Sequence, residues 1–430
     1  MRAAILLSLS TLLLSVLASG SIRGTFETGA LAFNPYGPFQ VFGNASIGPE
    51  LTVEHLFLDQ WPTGVGVSST GKIYATFPTD VNSTNSKFSL GIITSNTTEA
   101  AFPSVEVNQP PTGFLSSTDP SHFGSSDSDH LISVQSVVVD ALDRVWALDS
   151  GRPLLNAQSL LGSEGGPKLV AFDQNGTKLA TFVLPVGVAF PDSYLNDVRF
   201  DLRTSTLPAG KGVAYIADSS NEGRNGIIVV DLGTGKAWRH LDSVALTRAD
   251  DNFRSSYDGR PLQPVTPSGI FTRITTGADG IALSNDGEFL YFTPLASRRL
   301  YRVPTSLLLV QPGPVHPNAA IAAIAGTQFI GELPSHANGL ETDANGLIYI
   351  SAPEHNAITI LHPDTGLLET LVKDPRIQWP DTLSVATNNR LYFTSNQLFL
   401  QPSLNNGTDY RVPPFGMFSV PIGAGNVQLV

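Results

Sequence analysis

Several copies of one sequence pattern carry a polar side chain at a set distance ahead of an aromatic. Gln135 precedes Trp146, Asn338 precedes Tyr349 and Asp381 precedes Tyr392 by eleven positions, and Asp279 precedes Tyr291 by twelve. In another copy Asn196 and Asp197 take that place, ahead of Tyr215 across the longer connection LRTSTLPAGKG. Carboxylates and amides gathered at one point can act as general acids and bases, or as hard oxygen donors to Ca²⁺ with waters completing the shell. The competing reading is that steps such as Asp279-Gly280 and Asn338-Gly339 are ordinary turn chemistry. His336, two residues before Asn338, is either a proton-transfer group or a loop histidine bonded to backbone. A Trp-Pro step occurs twice, at Trp61-Pro62 and Trp379-Pro380. These tryptophans either pack between repeats or wall an apolar pocket.

The elements that must position these residues are strands. TGVGVSSTGKIYAT around Tyr74, SVQSVVVDALDRVWALD around Trp146 and LNDVRFD with VAYIAD around Tyr215 each read as two alternating strands joined by a turn. ADGIALSNDGEFLYFT, ANGLETDANGLIYIS and PDTLSVATNNRLYFT repeat the pattern around Tyr291, Tyr349 and Tyr392. One hairpin cannot bury its own apolar face, but six can cover one another. The spacing of the markers suits one four-stranded blade per repeat, so the chain is expected to be all-β, a six-bladed β-propeller forming a single domain over residues 21–430. The polar positions open the innermost strands and therefore ring the mouth of a central channel. Strand-like runs at both ends, 21–33 and 411–420, are candidates for closing the last blade.

Residues 1–20 read as a secretory signal: Arg2, an apolar run from Ile5 to Leu17, then Ala18-Ser19-Gly20 as a small-residue cleavage site. Sequons at Asn44, Asn82, Asn96, Asn175 and Asn406 agree with a secreted or secretory-lumen protein. There is no cysteine among the 430 residues, so disulfides and thiolate chemistry are excluded. The formal charge of −12 argues against nucleic acid and anionic membrane surfaces as partners, and no later stretch reads as a membrane span. Apolar residues make up 41% and charged ones 14%, as expected for a folded chain with a large core. Loops are expected at 116–130, 248–268 and 311–317, where such segments commonly build a ligand entrance. The sequence lacks G-x-S-x-G, H-E-x-x-H, Walker A and G-x-G-x-x-G motifs, which disfavours hydrolases of the elbow type, zincins and nucleotide enzymes.

The segments ALDSG (147–151), KLVAFDQNG (168–176), YLNDVRFD (194–201), AYIADSS (214–220) and IIVVDLGTGKAWR (227–239) resemble, in order, those of the major royal jelly and yellow proteins. GIALSNDGEFLYFTPLASRRLYRVPTSLL (280–308) and WPDTLSVATNNRLYFTSNQL (379–398) continue the resemblance, whose fold is a six-bladed propeller. Absence of cysteine separates the chain from insect members, and its loops resemble fungal ones. The resemblance to secreted fungal propellers of natural-product pathways implies a hetero-Diels-Alderase, joining a tropolone o-quinone methide to a humulene-type terpene in a step that needs no cofactor. Under it Trp61, Trp379 and Tyr194 wall an apolar channel for a small aromatic substrate, Asp279, Asp381 or His336 protonates a departing hydroxyl, and Gln135, Asn196 and Asn338 bind substrate oxygens. Two alternatives stand beside it: a non-catalytic carrier of a small ligand, and a lactonase-like hydrolase with Ca²⁺ in the channel.

Overall fold

The computed structural model describes residues 46–79, 85–109, 128–152, 154–155, 158–162, 165–266 and 268–430. The signal segment, the run 21–33, Asn44, Asn82 and most of the loop 116–130 lie outside the described residues. Gly48–Val430 form one compact unit.

Alternating apolar residues give six antiparallel four-stranded sheets among the described residues. Blade 1 comprises Val65–Val67, Ile73–Thr76, Leu90–Ser95 and Thr98–Ala101; blade 2 comprises Val134–Val139, Val145–Asp149, Lys168–Phe172 and Lys178–Val183. Blade 3 is Leu195–Asp201, Val213–Asp218, Gly226–Asp231 and Ala237–His240; blade 4 is Ala278–Leu283, Phe289–Pro294, Arg299–Pro304 and Gln328–Glu332. Blade 5 is Leu340–Thr342, Ile348–Ala352, Ala357–His362 and Leu367–Lys373. Blade 6 takes Pro380–Val385, Arg390–Ser395 and Phe415–Pro421 from the C-terminal part and its outer strand, Thr52–Phe57, from the N-terminal part. The first strand of each blade touches the first strand of the next all the way round, which closes a six-bladed β-propeller. The closing strand is thus Thr52–Phe57, pairing Phe57 with Phe415 and Thr52 with Ser419.

Each marker aromatic sits on the second strand of its blade and is buried. Each also packs into the following blade: Tyr74 against Val134 and Val137, Trp146 against Val198, Tyr215 against Ile281, Tyr291 against Leu340, Tyr349 against Leu383, and Tyr392 against Val65. In two repeats an aspartate six residues earlier also ties the turn to the aromatic. Asp140 accepts the Leu142 and Arg144 amides and the Trp146 indole N–H at 2.7 Å, and Asp343 accepts the Asn345 and Leu347 amides and the Tyr349 hydroxyl at 2.9 Å.

The entry of the first strand is irregular in four blades. The ladder slips between Val134 and Ser136, Leu195 and Val198, Ala278 and Ile281, and Pro380 and Leu383. These bulges hold Gln135, Asn196-Asp197, Asp279-Gly280 and Asp381-Thr382. A bulge re-aims side chains that a regular strand would alternate between faces. Asp279-Gly280 is therefore a strand bulge and not a turn, while Asn338-Gly339 leads directly into the strand Leu340–Thr342. Gly280 and Gly339 are required by close approach: a Cβ on Gly280 would lie 2.6 Å from the Asn338 carbonyl oxygen, and one on Gly339 2.3 Å from that of Asp381. Neighbouring blades meet backbone to backbone at these two points.

Two short helices, α1 (Thr305–Leu308) and α2 (Ala319–Gly326), interrupt blade 4 beside the irregular 311–317 stretch. At the far end of the channel the C-terminal segment runs beneath the blades, with Leu429 accepting from the Leu202 amide and Gly425 from the Ala344 amide, both at 2.8 Å.

Gly339→Ala is expected to lower stability by about 1–3 kcal/mol, since the clash is with backbone. Gly187→Ala, where a Cβ meets nothing within 4 Å, is expected to be near neutral. Urea unfolding midpoints of the two variants check this; equal midpoints would contradict the packing argument.

Candidate functional site

The bulges and the Trp-Pro steps converge on one cavity of about 430 Å³ at the channel mouth. Gln135, Asn196, Asn338, Asp279 and Asp381 line it from the ring, and Trp61, Trp379 and Tyr194 from the rim. Pro264 and Thr272–Thr276 from the segment between blades 3 and 4, and Leu398, Gln401, Ser403 and Leu404 from that within blade 6, add to the wall. Thr63 also lines the cavity and stands eleven positions before Tyr74, so the spacing rule names it as the ring residue of blade 1.

Hydroxyls behind the ring fix the strand entries. Ser351 Oγ accepts the amides of Asn338 and Gly339 at 2.9 and 3.0 Å. Thr76 Oγ1 accepts the Gly64 amide at 2.7 Å and donates to the Gln135 carbonyl at 2.9 Å; Thr394 Oγ1 donates to the Thr63 carbonyl at 2.6 Å. Each of these hydroxyls lies two residues after a marker aromatic.

Both tryptophans are buried and take part in interblade packing as well as in the wall. The Trp379 indole N–H donates to Asn338 Oδ1 at 2.9 Å, and the Trp61 indole N–H donates to the Asn396 carbonyl at 2.6 Å. Trp379 has φ +66°, a conformation that costs a bulky residue about 1–3 kcal/mol and that collects at functional sites. The Tyr194 hydroxyl donates to Gln135 Oε1 at 2.8 Å, and Asn196 Nδ2 donates to Ser219 Oγ at 3.1 Å.

Asn396 carries several of these connections and had no signal in the sequence. Besides holding Trp61, its Nδ2 donates to Asp381 Oδ2 at 2.6 Å and to the Pro62 carbonyl at 3.1 Å. It fixes the acid and the wall together.

The three channel carboxylates differ in their partners. Asp197 Oδ1 accepts from Ser136 Oγ, its neighbour's amide and Arg199 Nη1, the last at 2.8 Å. Arg199, itself buried, also donates to the Leu340 carbonyl and pairs with Glu341 at 3.4 Å. It lines a separate space of about 80 Å³ on the far side of the ring, under Val427 and Leu429. Asp381 has only the Asn396 amide against its burial, and burial together with the charge of Asp197 pushes its pKa up to about 7. Asp279 is 2% exposed, its Oδ2 has no partner, and burial, then Asp381 and Asp197, hold its carboxyl well above the usual range. Burial and the two neighbouring carboxyls favour the protonated form of Asp279, and Asp381 is poised between acid and base near neutral pH.

His336 does not line the cavity. It lies behind Trp379, ring centroids 5.0 Å apart, with Nε2 2.9 Å from Ser255 Oγ, and burial lowers its pKa to about 4. A neutral imidazole behind the wall is not placed to protonate a ligand in front of it; of the three groups expected to transfer a proton, only Asp279 and Asp381 line the cavity. Asp197 is paired with Arg199 and Asp381 with Asn396, and among the described residues no three His, Asp or Glu side chains group around a metal position. Of the sequons, Asn96, Asn175 and Asn406 sit exposed on turns.

The family profile described as "Major royal jelly protein" matches residues 132–418, from the second blade to the last. Major royal jelly protein 7 of Apis mellifera is 29% identical over 180 residues, 42% of this chain and 36% of that protein. Dopaminechrome tautomerase of Drosophila melanogaster is 27% identical over 188 residues, 43% of this chain and 36% of that one. A yellow-related salivary protein of Lutzomyia longipalpis is 24% identical across 70% of this chain and 72% of its own. The matched stretch thus spans about a third of the first two relatives. Among solved structures a luciferin-regenerating enzyme superposes with a TM-score of 0.52 at 13% identity, covering 88% of this chain and 97% of that one, a likeness of fold.

Because burial raises the pKa of Asp381, the folded chain holds that proton more tightly than the unfolded chain does, an advantage complete below the ordinary carboxylate range and lost as pH climbs through about 7. The melting temperature of the wild type is expected to fall more steeply than that of Asp381→Asn between pH 6 and pH 8, read by calorimetry; parallel profiles would mean Asp381 is already ionised. With the profile matching from the second blade to the last around this cavity, the chain belongs to the major royal jelly protein family.

Proposed function

We propose that the protein is a secreted enzyme of natural-product biosynthesis, a hetero-Diels-Alderase whose cavity dehydrates a tropolone-type alcohol and joins the product to an alkene of a humulene-type terpene. The observation that carries the reading is Asp381: a buried acid with a pKa of about 7, held by Asn396 in a cavity walled by Trp61, Trp379, Tyr194 and Leu295. A pKa near the working pH is what general acid catalysis requires, and an apolar cavity of this size suits a small aromatic ligand.

Asp381 gives its proton to the benzylic-type hydroxyl as the C–O bond breaks and water leaves. The ring hydroxyl then returns a proton to the carboxylate, leaving the neutral o-quinone methide. The [4+2] addition forms one C–C and one C–O bond and needs neither nucleophile nor cofactor. Holding diene and alkene together between the tryptophans supplies up to roughly 7–11 kcal/mol through lost entropy. Passage through the secretory pathway is part of the reading, on the N-terminal segment and the exposed Asn96, Asn175 and Asn406.

A second reading is favoured by the tautomerase among the relatives. The same acid could move a proton on a quinone-like ring without loss of water. Product mass separates the two, since only the first loses water and gains the terpene; saturable binding with no product would instead mark a carrier.

With purified protein, Asp381→Asn should slow dehydration by about 100-fold or more while leaving ligand affinity intact. The wild-type rate should fall about tenfold per pH unit above about 7, because the protonated acid is the active form. Unchanged turnover in Asp381→Asn removes this carboxyl from the mechanism. Deleting the gene in its host should abolish a terpene-polyketide adduct while the free alcohol and terpene accumulate; an unaltered metabolite profile ends the pericyclase reading.

A further inference from the structure

We infer that Asp279 forms a distinct hydrogen-bond-donor subsite, its carboxyl O–H donating to a carbonyl or enolate oxygen of the ligand. The inference deepens the reading above by naming the group that fixes the aromatic ring's orientation, yet it rests on geometry that holds whatever reaction follows.

Asp279 lies in the bulge that opens blade 4, so its side chain is turned into the cavity. It is 2% exposed, and Oδ2 has no hydrogen-bond partner in the protein. A buried polar atom left without a partner costs about 1–3 kcal/mol, and a cavity-lining carboxyl that carries this deficit is a place where a ligand can supply the missing partner. The surroundings decide which partner it can be. An ionised Asp279 would need a cation or several donors. Arg199 is committed to Asp197, Glu341 and the Leu340 carbonyl, while the carboxyls that face Asp279 are Asp381 and Asp197, both of which oppose its charge. Burial acts in the same direction. Held neutral, the group offers one O–H donor, and in a dry, apolar site a neutral acid is a strong donor to a developing or formal oxyanion.

The two carboxyls thereby divide the work. Asp381, tied to Asn396, exchanges its proton near neutral pH, whereas Asp279 keeps its own and serves as a fixed donor. The ligand class follows: a ring bearing a carbonyl or enolate oxygen, such as a tropolone, in preference to an amine.

Isothermal titration with tropolone itself tests this in wild type, Asp279→Asn, Asp279→Leu and Asp279→Ala, with thermal melts confirming that each variant folds. Asparagine keeps an N–H donor at the same point, so Asp279→Asn should bind within a few-fold of wild type. Asp279→Leu and Asp279→Ala should bind about tenfold or more weakly. The inference is overturned if wild type does not bind tropolone, if Asp279→Asn loses as much affinity as Asp279→Leu, which would mean that the charge is needed, or if the apolar variants bind as wild type does. Failure of the dehydration assay alongside this binding pattern would sink the proposed reaction and leave the subsite standing.

Discussion

The structure depends on one constraint: no blade can bury its own apolar face. Each marker aromatic from Tyr74 to Tyr392 is covered by the first strand of the following blade, and the last blade is completed only when Thr52–Phe57 pairs with Phe415–Pro421. Circular closure replaces the disulfides that a chain without cysteine cannot form. It also forces six strand entries against one another around a narrow axis. At that radius there is no space for side chains on every residue, which is why Gly280 and Gly339 face a neighbouring carbonyl and why the residues before them project into the channel.

The site is a consequence of that crowding. The bulges at Gln135, Asn196-Asp197, Asp279 and Asp381 relieve the meeting of strands and, in the same step, aim polar groups at the axis. The hydroxyls of Thr76, Ser351 and Thr394 take up backbone groups at the ring. A repeat selected for closure therefore produces a polar ring whether or not a ligand is present, and the identity of the residue at each position is free to carry chemistry.

This explains what was legible in the sequence. The fold was, because the aromatic and the alternating strands recur with each blade. The ring was, because the strand entry holds a set place in the repeat, and the same spacing places Thr63 eleven positions before Tyr74. Asp-Gly and Asn-Gly steps were ambiguous since a turn and a close backbone approach favour the same small residues. His336 was misplaced by proximity: two residues from Asn338 along the chain, it lies on the other side of Trp379. Asn396 and Arg199 act across blades, Asn396 on Trp61 and Arg199 on the Leu340 carbonyl, and contacts of that range leave no local pattern.

The unequal treatment of the three channel carboxylates is the feature least expected from stability alone. Asp197 receives a guanidinium, a hydroxyl and an amide, enough to settle a buried charge. Asp381 receives one amide and Asp279 Oδ2 none. Leucine or asparagine at either position would spare the fold a desolvated acid, just as a glycine at 379 would spare it the strain of φ +66°. Two neighbouring acids in a buried channel oppose each other's ionisation, and their unequal partners separate them, Asp381 rising to about 7 and Asp279 held well above the usual range. That separation needs only position and burial, both set by the bulges, so the same architecture that closes the propeller also places two carboxyls with different proton affinities on one cavity.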